Sequence, residues 1–379
     1  MERGIRIGYS RERDPARAAA ELHSALSQPD ACIAVFFCSA EYDLPALGEA
    51  LAALFGDVRL IGCTTAGEIT PVGYLDGAIV GFSLAAPDFA AVAAPMRDLP
   101  SFSIAEGETT TRDLRKRLDR EAGLPENDFG FLLIDGLDKC EDLVVSSIYS
   151  GLGKVPLFGG SSGGAMSFGS SSVYFDGAFH GDSAVLLLVR TRRRFRLFTI
   201  DHFLPSDTRM VITEADPRSR VVTEINAEPA GREYARLVGL DVDKLTPMIF
   251  ATHPVLVRVG GRYYVRSIQK VNDDGSLTFF CAIDKGLVLT VARGTDIIQN
   301  LADRLNAVRA EIGPPQLLIG CECILRSLEL EQKQLKAEAG RLLAEQNVVG
   351  FNTFGEQFQA MHVNQTFTAA AIGHGSAGE

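Results

Sequence analysis

The chain has 379 residues, 46% of them hydrophobic and 22% charged, with a formal net charge of −11. That length allows two domains and a large core, and the acidic balance argues against non-specific binding to nucleic acid or to an anionic membrane. No run of eighteen apolar residues occurs, the N-terminal MERGIRIGYSRERD lacks the apolar stretch of a signal peptide, and the seven cysteines form no disulfide framework; the expectation is a reducing, cytoplasmic setting with nothing spanning a membrane.

Strand and helix signals alternate from the start. Ile5–Tyr9 reads as a short strand. Asp14 followed by Pro15 predicts a helix to Leu26, because the carboxylate caps free amides and proline suits the first turn. Cys32–Cys38 reads as a buried strand and Leu44–Phe55 as a helix stopped by Gly56. Arg59–Ile69 carries a glycine turn, and Ala78–Leu84 is the strand after it. Thr109–Glu121 is a charged helix whose Thr-rich start looks like its cap. Phe129–Leu133 is a strand, Glu141–Tyr149 a helix, Leu157–Gly164 a second glycine turn, and Ser171–Arg190 a hairpin around Gly177 and Gly181. The basic run RTRRRFR (190–196) reads as a solvated strand edge.

The composition shifts near Pro205–Arg220, which places a boundary between a domain of residues 1–215 and one of residues 216–379. Pro229–Val238 is a short helix, and Val255–Ile268 with Leu277–Ile283 forms a meander turning at NDDG (272–275). Asp296–Glu311 is a helix and Leu317–Cys323 a strand. Residues 324–345 read as one helix, with Leu328, Leu335 and Leu342 seven apart, as in a short coiled-coil seam. Such a seam packs on its own sheet or forms a dimer or partner surface. The expected class is α/β, mixed with α+β, as two domains with related β-sheets covered by outer helices.

One pattern recurs. Gly62, Thr65, Gly67 and Glu68 in GCTTAGE match Gly350, Thr353, Gly355 and Glu356 in GFNTFGE, and Gly159, Ser162 and Gly164 in GGSSGGA fit more loosely. An apolar strand follows each copy, so the pattern reads as one strand–turn–strand unit used repeatedly. Glycine permits positive φ, and Ser or Thr bonds nearby amides. These are either three structural turns or turns that converge on a ligand. Glu68 and Glu356 form a carboxylate pair for acid–base work or bond the turn amides. GGSSGG lacks the lysine of a phosphate loop. No defined nucleophile–base pair is present, and the chain is expected not to be an enzyme.

RLIGCTTAGEI (59–69), LLIGCECILRSL (317–328) and VGFNTFGEQFQAMHVNQTFTAAAIG (349–373) resemble the signatures of FIST-domain proteins, with their FIST-N and FIST-C halves, over residues 30–370. The resemblance implies an intracellular sensory module for a small ligand. As a stand-alone chain with HVNQT at 362–366, it is most similar to family members that use haem to sense nitric oxide. It therefore implies haem b as cofactor, nitric oxide as ligand, and a histidine kinase or cyclic-di-GMP enzyme as partner. The alternative is a haem-free receptor for a small, amino-acid-like molecule.

Non-covalent haem needs an axial side chain, and no CxxCH is present for covalent attachment. His362 is the first candidate for the iron, within the terminal signature; against it, alternation places it on the polar face of Asn364, Thr366 and Thr368. His253, before Pro254, is the second, followed by His180 and His202. Arg326 is a candidate anchor for a carboxylate or propionate. Asn364 and Glu356 are candidates to orient the His362 ring, with Thr353 in the same turn. Cys321 and Cys323, two apart, share a strand face; their spacing is wrong for a zinc knuckle.

Overall fold

The computed structural model describes residues 4–137, 139–164 and 171–376. Its chain repeats one supersecondary unit three times. The first unit is β1 (Ile5–Ser10), α1 (Pro15–Leu26), β2 (Ala31–Ser39), α2 (Leu44–Phe55), β3 (Leu60–Thr65), the hairpin β4 (Glu68–Thr70) and β5 (Gly73–Leu75), and β6 (Ile79–Ala85). The second is β7 (Phe89–Met96), α3 (Ile104–Glu121), β8 (Asp128–Ile134), α4 (Glu141–Leu152), β9 (Leu157–Ser161), the hairpin β10 (Val173–Phe175) and β11 (Ala178–His180), and β12 (Ala184–Thr191).

The third unit is opened by β13 (Arg193–Ile200) and then interrupted by an inserted module. That module holds β14 (Phe203–Asp216), β15 (Val221–Ile225), β16 (Glu228–Pro229), α5 (Ala230–Val238), α6 (Pro247–Thr252), β17 (Val255–Val259), β18 (Arg262–Arg266), β19 (Ile268–Val271), β20 (Leu277–Phe279) and β21 (Val288–Gly294). The unit resumes with α7 (Ile297–Ile312), β22 (Leu317–Cys323), α8 (Ile324–Gln332), α9 (Lys336–Ala344), β23 (Val348–Thr353), the hairpin β24 (Glu356–Phe358) and β25 (Met361–Val363), and β26 (Phe367–Ser376).

Three six-stranded sheets follow one rule. Their orders are β1-β6-β2-β3-β10-β11, β7-β12-β8-β9-β24-β25 and β13-β26-β22-β23-β4-β5. Each unit supplies four strands to its own sheet and lends its hairpin to another, in a closed cycle of three. The pairs β2–β3, β8–β9 and β22–β23 are parallel, joined by crossover helices as parallel strands must be. The inner faces of the three sheets meet in one core that includes Val35, Phe37, Phe131, Leu133, Ile319 and Phe351. Helices α1 and α2 cover the first sheet, α3 and α4 the second, and α7 and α9 the third. With both faces covered, the strands read as continuous apolar runs. The inserted module has its own core and sheet, order β18-β17-β21-β14-β15-β20-β19.

The expected mixed α/β class with related β-sheets under outer helices is the architecture observed. Local signals placed several elements well: Asp14 accepts from the Arg17 amide to start α1, and Asp43 does the same for α2. The boundary expected at residue 215 falls inside β14. Helix α3 starts earlier than the threonine run implies, because Ser103 caps the amide of Glu106. The single helix expected over 324–345 is two: α8 ends at Gln332, Gln334 takes φ +58°, and α9 starts at Lys336. The leucine spacing therefore does not form one seam. Leu328 packs with Ala251 and Phe354, whereas Leu335 and Leu342 pack beneath the third sheet.

The repeat glycines have a different reason from the one expected. Only Gly67 has positive φ, +138°. Gly62, Gly159 and Gly350 lie within strands, opposite Phe36, Leu132 and Gly320 of the parallel neighbour. A Cβ at each would overlap that neighbour's carbonyl oxygen.

Candidate functional site

The three turns converge. The Ala66 amide donates to the Asn352 carbonyl at 3.0 Å, and the Asn352 amide to the Gly67 carbonyl at 2.7 Å. The Ser161 amide donates to the Gly355 carbonyl at 2.8 Å, and the Gly163 amide to the Thr64 carbonyl at 2.9 Å. Each turn thus bonds both of the others.

Glu356 is a latch within this junction. Thr353 Oγ1 donates to its Oε1 at 2.6 Å, and Thr366 Oγ1 donates to its Oε2 at 2.7 Å. The Gly355 amide donates to Thr353 Oγ1 at 2.9 Å. Glu68 repeats the device in the first unit, bonded by Thr65 Oγ1 and, at 2.9 Å, by the Ala78 amide. Each latch ties a turn to the start of the strand beyond its hairpin. Burial pushes both carboxyls up to about 8, partly offset by these hydrogen bonds. Both carboxylates are thus occupied within their own turns.

His362 lies on β25, fully buried, paired across the hairpin with Gln357. Its Nδ1 is 3.4 Å from Gln357 Nε2, which also donates to Ser161 Oγ at 2.9 Å. Its carbonyl accepts from Arg266 Nη1 at 3.1 Å. The ring lies against Gly355, where a Cβ would strike it, and beside the Asn364 amide. Burial lowers the His362 pKa; Glu141 and Asp142 oppose this, while Arg220 and Arg266 add to it. Burial thus favours the neutral imidazole.

On the His362 hairpin, just beyond it in the chain, and beside the Arg266 that bonds its carbonyl, buried polar atoms lack protein partners. They are His362 Nε2, Gln357 Oε1, both side-chain polar atoms of Asn364, Gln365 Oε1, Arg266 Nε and Ser267 Oγ. All six residues are buried, the most exposed being Arg266 at 7%. Each orphaned buried atom costs about 1–3 kcal/mol, and buried polar atoms in native proteins are almost always paired. Such atoms take a water or a ligand atom as their partner.

Of the residues expected at the site, His362, Asn364, Thr353 and Glu356 come together through one hairpin, the last two as scaffold. His253 stands at the end of α6, with Nδ1 2.9 Å from Thr252 Oγ1 and its carbonyl bonded by Tyr234. Arg326 is fully buried elsewhere, 3.3 Å from Glu322 and 3.1 Å from His202 Nδ1. His202 is held by Glu329, and His180 stacks on Phe175. All seven cysteines are free thiols; Cys321 lies in the central core, and Cys323 beside Ala251. Sequence reading missed Gln357, Ser161, Gln365 and Arg266. The two glutamines sat within the quoted signature, and hairpin pairing would have placed Gln357 opposite His362. Arg266 comes from the inserted module and carries no local signal.

These surroundings also test the haem expectation. A porphyrin needs an apolar slot beside the ligating ring. The His362 ring meets Gly355, Gln357 and Asn364 instead, and the residues present do not fit that group. Among the described residues no group of three His, Cys, Asp or Glu is arranged to hold a metal ion. Among the described residues no helix is long and apolar enough to cross a membrane.

Comparison with known proteins gives two family matches. The FIST N domain matches residues 32–228, and the FIST C domain matches residues 230–359. No curated protein sequence matches. Among solved structures, cyanuric acid hydrolase from A. caulinodans shares 10% identity over 98% of this chain and 99% of that one, at a TM-score of 0.41. So loose a likeness carries no argument about activity.

Proposed function

The chain belongs to the FIST family, whose domains sense small ligands in signal transduction, and from that premise we propose that it binds a small, polar, carboxylate-bearing molecule of amino-acid size in the His362 pocket. The observation that carries this reading is the cluster of seven unpartnered buried polar atoms. Arg266 supplies the cation for the carboxylate. The neutral Nε2 of His362 and the amides of Asn364, Gln357 and Gln365 supply donors and acceptors whose pairing gives selectivity. The Glu356 and Thr353 latch holds the hairpin that presents them.

The pocket joins three parts of the chain: the third unit's hairpin, Ser161 of the second unit, and Arg266 of the inserted module. Ligand binding would draw these parts together, and that change is the signal. The output reading, control of a histidine kinase or cyclic-di-GMP enzyme, rests on the family resemblance.

The test is a thermal-shift screen of amino acids and dicarboxylates. A ligand at a hundred times its Kd stabilises the folded state by about 2.7 kcal/mol. We expect such a ligand, with the effect abolished in Arg266→Ala and Asn364→Ala. The competing reading is haem-based nitric oxide sensing, as in the resembling protein NosP. Absence of any stabilising carboxylate, together with a Soret band on haem addition that His362→Ala removes, would replace the polar-ligand reading with that one.

A further inference from the structure

A cavity of about 340 Å³ opens on the side of β25 away from the His362 ring. Alternation along the strand sends His362 into the polar pocket and leaves Met361 and Val363 lining this cleft. The opposite wall is β18 of the inserted module. Both strands are sheet edges, so the cleft separates two edges that do not pair with each other. Its walls are Tyr149, Tyr263, Tyr264, Phe358 and Met361. Four aromatic rings and a thioether form a surface suited to a flat ring, through stacking, edge contacts and sulfur–aromatic contacts. Arg262 and Asp201 supply charge of both signs to the lining. Arg262 is exposed and forms no ion pair among the described residues.

We propose that this cleft is a second binding site, for a small planar aromatic carboxylate whose ring carries an N–H or O–H donor. The ring lies among the tyrosines, Phe358 and Met361. The carboxylate pairs with Arg262, and the ring donor bonds the Asp201 carboxylate. The volume is near the lower end of ligand pockets and admits one bicyclic ring with a short acid arm. The cleft and the polar pocket share β25, so each ligand acts on the strand that the other holds.

Indole-3-acetate is the probe, and its own fluorescence reports binding because the chain contains no tryptophan. The expected result is saturable binding to the wild-type protein. Arg262→Ala should weaken it by about tenfold, and so should removal of the carboxylate by using indole. Tyr263→Ala, at a half-exposed ring, should weaken both ligands alike. Met361→Ala, on the cleft face of β25, should weaken binding as well, which ties the site to this side of the strand. Absence of saturable binding to wild type overturns the proposal. So does binding that survives Arg262→Ala and Tyr263→Ala unchanged.

Discussion

The hairpins of the three units occupy matching places in three sheets, but their central cross-strand pairs differ. In the first unit the pair is Ile69 with Tyr74, and in the second Tyr174 with Phe179. In the third it is Gln357 with His362. The first two pairs join the apolar layers beneath the outer helices of the sheets that receive them. The third puts an amide and an imidazole where its counterparts place largely apolar side chains, and leaves Gln357 Oε1 and His362 Nε2 unpartnered, as the Tyr74 hydroxyl is in the first pair. The scaffold around the first and third pairs is the same: a Thr–Glu latch and a strand glycine against a neighbouring carbonyl. What the units share is therefore structure, and what the third unit alone does points to function.

The largest expected effect tests the shared part. Gly350→Ala forces a Cβ into the Gly320 carbonyl and should cost about 3 kcal/mol, read as a fall in the urea midpoint at unchanged slope. Gly62→Ala and Gly159→Ala should cost similar amounts, since the same contact recurs. Gly355→Ala strikes the His362 ring instead; it should disturb ligand binding more than it disturbs folding. Equal effects at Gly350 and Gly355 would erase the distinction between scaffold and site.

A smaller effect of opposite sign tests the departure. Transplanting the first unit's pair, as Gln357→Ile with His362→Tyr, replaces orphaned polar atoms by largely apolar side chains. It should stabilise the ligand-free protein by about 1–2 kcal/mol and abolish the ligand-induced thermal shift. A stability loss greater than that would mean that the polar pair is already satisfied and carries structure alone.

The smallest effect concerns the latches. Glu68 and Glu356 rise from an ordinary 4.5 to about 8 on folding. The folded protein thus holds these protons more tightly than the unfolded chain does. The stability they confer is present in full below the unfolded value and is lost as pH rises through the folded value. Melting temperature should therefore fall between about pH 5 and about pH 9. Glu356→Gln keeps a neutral hydrogen-bonding group and should flatten part of that fall; adding Glu68→Gln should flatten more. A double variant with the wild-type slope would show that the two carboxyls ionise at ordinary values.

Much of this was legible in the chain. The cap at Asp14 and the stop at Gly56 lie within a few residues of what they control, so local chemistry placed the start of α1 and the end of α2. The matching of GCTTAGE to GFNTFGE survived in sequence because one latch geometry needs threonine three residues before glutamate, and one parallel pair needs glycine against a carbonyl. The terminal signature marked His362 and Asn364 because the hairpin that holds them is continuous in sequence. Leucines seven apart implied one helix, yet the chain turns at Gln334 so that two short helices pack on different neighbours.

Tertiary structure alone decided the rest. Each hairpin leaves its own unit and completes the sheet of another, an exchange that depends on partners far apart in sequence, such as Gln357 with Gly159 and Phe351 with Glu68. No local pattern encodes such a partner, because an edge strand offers the same backbone groups to any neighbour. The arginine that bonds the His362 carbonyl comes from an inserted module with its own core, and only folding brings Arg266 to His362. Sequence by itself determined the repeated unit and the residue types available to a ligand; assembly of three units around one junction decided which of them stayed unpaired, because burial, not composition, determines which polar atoms lose water and still need a partner.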